Sequence, residues 1–139
     1  MKRYTLLTAL LLVCMAAAAP PWHALLIKVA PALNYYEPLL VAVATVESGC
    51  NPDAVNPAEQ AHGALQVRPI LLLDYYQRTG TRYTLADMHD WAKARKVFLY
   101  YAHGRTYEAA ARRWNGRGKQ TDKYWAKVQT ELNKQFLNN

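Results

Sequence analysis

The sequence predicts an all-α fold of about five to seven helices joined by short loops. Apolar residues recur at helical spacing in the long segments. Pro38 and Pro69 stand where helices begin, and Gly49, Gly104 and Gly116 stand where they end. No segment alternates apolar and polar residues over several positions, and no internal repeat is present. With 139 residues, 52% of them hydrophobic, the chain suits one domain with a sizeable core and does not suit a disordered class.

The N-terminus reads as a secretory signal. Lys2 and Arg3 form a basic start, an apolar run follows from Leu6 to Met15, and Ala16 to Ala19 offer small residues for cleavage. The expected division is a signal peptide at 1–19 and a mature domain at 20–139, placed in the periplasm or outside the cell. The apolar run is short for a membrane span, so no stable span is expected after cleavage. The chain carries 17 Lys and Arg against 10 Asp and Glu, a net charge of +7. Loss of Lys2 and Arg3 leaves 15 against 10, a net of +5. That surface favours an anionic partner, and charge alone does not separate nucleic acid from anionic cell-wall polymers. Cleavage also removes Cys14, which leaves Cys50 with no partner for an internal disulfide.

Residues 22–32 predict a short helix or a loose lead-in that ends at Pro31. The chain is organised around the stretch Pro38 to Pro52. Leu39 to Ala44 and Val46 are apolar on nearly every face, which predicts a buried helix. Gly49 suits the left-handed position past its end, and Asn51-Pro52 forces a turn. Residues 51–62 form a loop by composition, with turn signals at Asn51-Pro52-Asp53 and Asn56-Pro57. Gly63 before the short run Ala64-Leu65-Gln66-Val67 predicts a close backbone approach. A helix is predicted over 69–77 and a loop over 78–84. Asp87 is the expected N-cap of a helix reaching about His103, with Trp91, Ala94, Val97, Phe98 and Tyr101 as its buried stripe. Thr106 caps a helix over 107–115. The last helix starts at Thr121 or Asp122 and runs to about Phe136, with Val128, Leu132 and Phe136 on one face.

Glu47 is the first candidate for chemistry. It lies four residues after Val43 and seven after Leu40, on their face. Desolvation there raises a carboxyl pKa, which suits a general acid near neutral pH. The other reading is a side chain that swings to water from the last helical turn. Cys50 reads as a small packed residue or as a nucleophile served by His62, His89 or His103. No CxxC, HExxH or EF-hand pattern occurs, so neither metal nor cofactor is expected.

Three short motifs follow in order: ESGCNP at Glu47–Pro52, GALQV at Gly63–Val67 and WNGRG at Trp114–Gly118. Together they resemble the soluble lytic transglycosylase family, lysozyme-like enzymes that cleave peptidoglycan, over about Pro38 to Val128. The resemblance implies a lysozyme-like fold with peptidoglycan glycan strands as the partner and Glu47 as acid, then base. It implies that Gln66 and Asn115 hold the sugar's amide and ring substituents, with Gly63 in the same motif, and that Ser48 supports the turn after Glu47. Asn56 stands where many members carry Ser, and Trp114 where Tyr is common. Trp114 and one of Tyr100, Tyr101 or Tyr124 are expected to stack on sugar faces. Asp53, the acid nearest Glu47 along the chain after it, reads as a turn residue. A hydrolase of this kind usually needs two carboxylates. Two alternatives therefore stay open: a hydrolytic lysozyme and a non-catalytic wall-binding module. The signal segment and the lack of a basic recognition helix speak against a nucleic-acid partner. With no added wall-binding domain in the sequence, a partner in the cell-envelope machinery is expected to localise the chain.

Overall fold

The computed structural model describes residues 35–137. The expected signal segment and the lead-in over 22–32 lie outside the described residues. Five α-helices dominate what is described, in line with the all-α expectation: α1 (Glu37–Ser48), α2 (Pro69–Thr79), α3 (Trp91–Ala102), α4 (Tyr107–Asn115) and α5 (Gln120–Leu137). Two strands of two residues each, β1 (Val55–Asn56) and β2 (Ala61–His62), pair antiparallel in the loop after α1. A 3₁₀ turn, Ala86–His89, precedes α3. Among the described residues no helix is long and apolar enough to cross a membrane.

Helix α1 starts with Pro38 in its first turn and stops at Gly49, whose φ of 66° is left-handed. The stop is a Schellman arrangement: Gly49 N–H donates to the Thr45 carbonyl and Cys50 N–H to that of Ala44. Leu39, Leu40, Ala42, Val43 and Ala44 are buried, while Val41 faces outward at 41% exposure, so one flank of α1 meets solvent. Helix α5 lies antiparallel to α1. Near its end the Gln135 amide donates to the Pro38 carbonyl at 3.1 Å, and near its start Tyr124 reaches Glu47 at the far end of α1. The buried face of α5 is Thr121, Tyr124, Val128 and Leu132. Phe136, expected on that face, is 65% exposed because the stripe begins one turn earlier, at Tyr124.

Two Asp residues share the work expected of Asp87. Asp87 forms a capping box with Thr84: its carboxylate accepts from the Thr84 N–H and hydroxyl, both at 2.8 Å. That box opens the 3₁₀ turn. Asp90 caps α3 itself by accepting from Lys93 N–H at 3.1 Å. The stripe Ala94, Val97, Phe98 and Tyr101 is buried as expected, and Trp91 is left 39% exposed. Thr106 caps α4, accepting from Ala109 N–H at 3.2 Å.

Trp114, on α4, is 2% exposed and sits in the core. Its ring meets Phe98 edge to face at 5.0 Å and Tyr101 at 6.1 Å. Gly63 packs against the 3₁₀ turn so tightly that a Cβ there would lie 1.9 Å from the Met88 carbonyl oxygen. The close approach expected at Gly63 is thus with backbone of the fold. Gly63→Ala should lower unfolding free energy by about 3 kcal/mol, from a clash added to a left-handed φ. Gly80→Ala, with a φ of +72° and open space around it, should lose only about 1 kcal/mol. Urea melts of the two variants measure the difference.

Candidate active site

Glu47 sits in the last turn of α1, half-buried. Tyr124 donates its hydroxyl proton to Glu47 Oε1 at 2.7 Å. Loss of water raises the Glu47 pKa above the usual glutamate range, and the nearby negative charge of Glu59 pushes the same way. The Tyr124 hydrogen bond and the positive charge of Arg68 oppose them, and burial prevails. Burial, then the Glu47 carboxylate, push the Tyr124 phenol up in turn, so it remains a donor. With Oε1 engaged by Tyr124, Oε2 is the oxygen left to exchange a proton.

The segments of the three motifs are hydrogen-bonded to one another. Ser48 donates its hydroxyl to the Ala64 carbonyl at 2.8 Å and accepts from Asn51 N–H at 3.0 Å, which ties the turn after Glu47 to the GALQV segment. On the other side, the Trp114 indole N–H donates to the Leu65 carbonyl at 3.1 Å. Arg68 then donates to the carbonyls of Trp114 at 2.9 Å and Asn115 at 3.2 Å, over the C-terminal end of α4. The positive guanidinium satisfies terminal carbonyls of that helix and offsets its dipole.

Gln66 has a left-handed φ of 49°. Its amide nitrogen donates to the carbonyls of Gly63 at 2.9 Å and Ala54 at 3.3 Å, which fixes the side chain against the loop. Asn115 Oδ1 is buried and accepts no hydrogen bond. A buried carbonyl oxygen without a donor is costly and suits a site that a ligand's N–H or O–H completes. Asn56 uses its side-chain oxygen to accept from Ala58 N–H at 3.1 Å, a turn inside the hairpin.

Two expected sugar-stacking residues take other places. Trp114 has no face open to a ligand, because α4 carries it inward with Ala110 and Ala111. Tyr124 is 8% exposed and works through its hydroxyl on Glu47. Tyr101 is buried and donates to the Leu71 carbonyl and to Asp74, while Tyr100 keeps a partly exposed ring against Tyr75 and Tyr101. Cys50, expected to be packed, is exposed, with its sulfur 3.3 Å from the Thr45 hydroxyl. Among the described residues no histidine is hydrogen-bonded to it. His62 Nδ1 and His89 Nε2 lie 3.1 Å apart, and His89 Nδ1 lies 2.8 Å from the Pro52 carbonyl. With both rings neutral, His89 donates to Pro52 and His62 donates to His89. Among the described residues no three His, Cys, Asp or Glu side chains gather as a metal site.

Sequence reasoning missed Arg68 and Glu59 and gave Tyr124 the wrong task. Only Tyr124 carried a signal: it stands four residues before Val128, on the same helical stripe.

Fold and site define a mostly helical domain with a half-buried carboxyl at the end of its first described helix. Comparison with protein-family models, with curated proteins and with solved structures finds no match to the chain.

Tyr124→Phe removes an influence that lowers the Glu47 pKa, so that pKa should rise further; carboxyl ¹³C titration of Glu47 reads it directly. A raised folded-state value also means that the unfolded chain ionises first as pH climbs, so stability falls between the ordinary glutamate value and the folded one. Glu47→Gln should therefore melt above wild type at about pH 7 and show no such gain at about pH 3.5, where both states are largely protonated.

Proposed function

We propose that this chain is a secreted peptidoglycan lytic transglycosylase with a lysozyme-like fold. The observation that carries the proposal is the convergence of the three motif segments on one another, with the protonatable carboxyl of Glu47 beside them. Their order in the chain is that of the family they resemble, and their hydrogen bonding into one unit is what a shared substrate groove requires.

In this mechanism protonated Glu47 gives its Oε2 proton to the oxygen between MurNAc and GlcNAc, and the bond from that oxygen to C1 of MurNAc breaks. Burial keeps the proton available, and Tyr124 and Arg68 stabilise the carboxylate that remains. The carboxylate then takes the proton of the MurNAc 6-hydroxyl as that oxygen attacks C1. The product is a 1,6-anhydro end with no water consumed. The attack is intramolecular, so the protein's task is orientation rather than activation of water. Gln66 Oε1 and Asn115 Oδ1 accept from the substrate's amide and hydroxyl groups. The mature surface, basic by composition, draws in an anionic wall.

A second reading has one observation of its own. Glu59 lies in the loop after α1 and raises the Glu47 pKa by its charge, whereas Asp53 has no such influence on Glu47. A hydrolase needs a second carboxylate, and on this reading Glu59 would be that group.

Digestion of purified wall, read by mass spectrometry, tests both. Wild type should release fragments with anhydro ends, lighter by one water than hydrolytic products. Glu47→Gln should lose on the order of 10²–10⁴ in rate. Glu59→Gln should keep the rate within about twofold, as expected of an exposed charge acting only through the field. Reducing ends, together with a large loss in Glu59→Gln, would establish the hydrolase instead.

A further inference from the structure

A cleft of about 400 Å³ opens between α2 and the C-terminal end of α4. Arg68, Arg113 and Arg117 line it, with Ile70 and Leu73 as apolar wall. Ile70 is 65% and Leu73 52% exposed. Arg113 and Arg117 make no ion pair among the described residues. Asp74, the acid in the cleft, is already engaged: it accepts from Arg78 at 2.7 Å and from the Tyr101 hydroxyl at 2.8 Å. Three guanidinium groups face one carboxylate, so the cleft is cationic; Arg113 acts on Asp74 through its charge without forming an ion pair. Arg68 forms part of its lining and is also the cation that acts on Glu47. Arg68, bonded to the carbonyls of Trp114 and Asn115, thus joins the cleft to the third motif segment.

We propose that this cleft receives a carboxylate-bearing peptide attached to the sugar strand that Glu47 works on. The proposal rests on the peptidoglycan reading above and names a substrate feature which that reading leaves open. The chemistry selects the ligand. Guanidinium groups bind carboxylates in paired hydrogen bonds, and the exposed Ile70 and Leu73 side chains suit short aliphatic side chains between the charges. Peptide-free glycan offers one lactyl carboxylate per MurNAc, whereas an acidic peptide adds several carboxylates and aliphatic side chains at one place. A nearby peptide held in the cleft fixes the register of the strand, so the same bond is presented to Glu47 each time.

The test uses the full chain, with Arg113→Gln and Arg117→Gln combined, and three probes. The probes are a free acidic stem peptide, the same peptide with its carboxyl groups amidated, and peptide-free glycan strands. Calorimetric titration should show the double variant binding the acidic peptide about tenfold more weakly than wild type, while glycan affinity stays within about twofold. The amidated peptide should bind both proteins equally weakly. Leu73→Glu, at an exposed position, should weaken the acidic peptide in the same way if the double variant does not fold. Equal affinity of wild type and variants for the acidic peptide overturns the proposal, as does an equal loss for bare glycan. So does inorganic phosphate binding tightly where the peptide does not, which would make the cleft a phosphate site. Cleavage of wall without peptide binding removes the cleft proposal and leaves the function; peptide binding without cleavage does the reverse.

Discussion

The hydrogen bond from the Trp114 indole to the Leu65 carbonyl fixes the geometry of the site. Both groups are buried, and neither has an alternative partner in regular structure. A buried donor or acceptor left unpaired costs about 1–3 kcal/mol, so the two hold one another. Leu65 belongs to an irregular segment between β2 and α2, and the indole sets the depth at which that segment crosses the core. Its neighbours then fall into place. Ala64 presents its carbonyl to Ser48, at the end of α1, and Arg68 reaches the last carbonyls of α4. Three parts of the chain are thereby joined through one short loop.

Glu47 is where opposing electrostatic forces meet. Loss of water favours the acid form, and its place at the C-terminal end of α1 favours it too, since the helix dipole disfavours a negative charge there. Tyr124 and Arg68 favour the carboxylate. A group that must first give a proton and then take one needs both sets. Burial shifts the balance towards the acid form, and Tyr124 and Arg68 lower the cost of the carboxylate. Arg68 links this balance to the frame, because the same guanidinium that acts on Glu47 is fixed by the carbonyls of α4.

Much of the helical layout was legible because its signals are local. Pro38 and Gly49 bracket α1, Thr106 and Gly116 bracket α4, and each acts within one turn of its own position. Asp87 and Asp90 were confused for the same reason: both are good caps, and only the pairing of Thr84 with Asp87 separates the 3₁₀ turn from α3. Glu47 was legible from its spacing to Val43 and Leu40. Its partners were not. Tyr124 is 77 residues away, and no local pattern encodes a contact across that separation. Trp114 illustrates the reverse error. A motif match suggested an open ring, whereas the spacing of Ala110, Ala111 and Trp114 on α4 already indicated an inward face.

The loop around the site departs from local preference in a consistent way. Cys50, Gln60 and Gln66 all take left-handed φ values, between 49° and 61°, although none is glycine. Each such residue costs about 1 kcal/mol or more. The hairpin of β1 and β2 is too short to offset that by itself. Asn115 adds a buried oxygen with no donor. The bonds from Ser48, Trp114 and Arg68 hold the segment that contains Gln66 in place. A loop stabilised by its own contacts would have satisfied its polar groups internally. This one is imposed by the helices around it, and Asn115 Oδ1 is left buried without a donor.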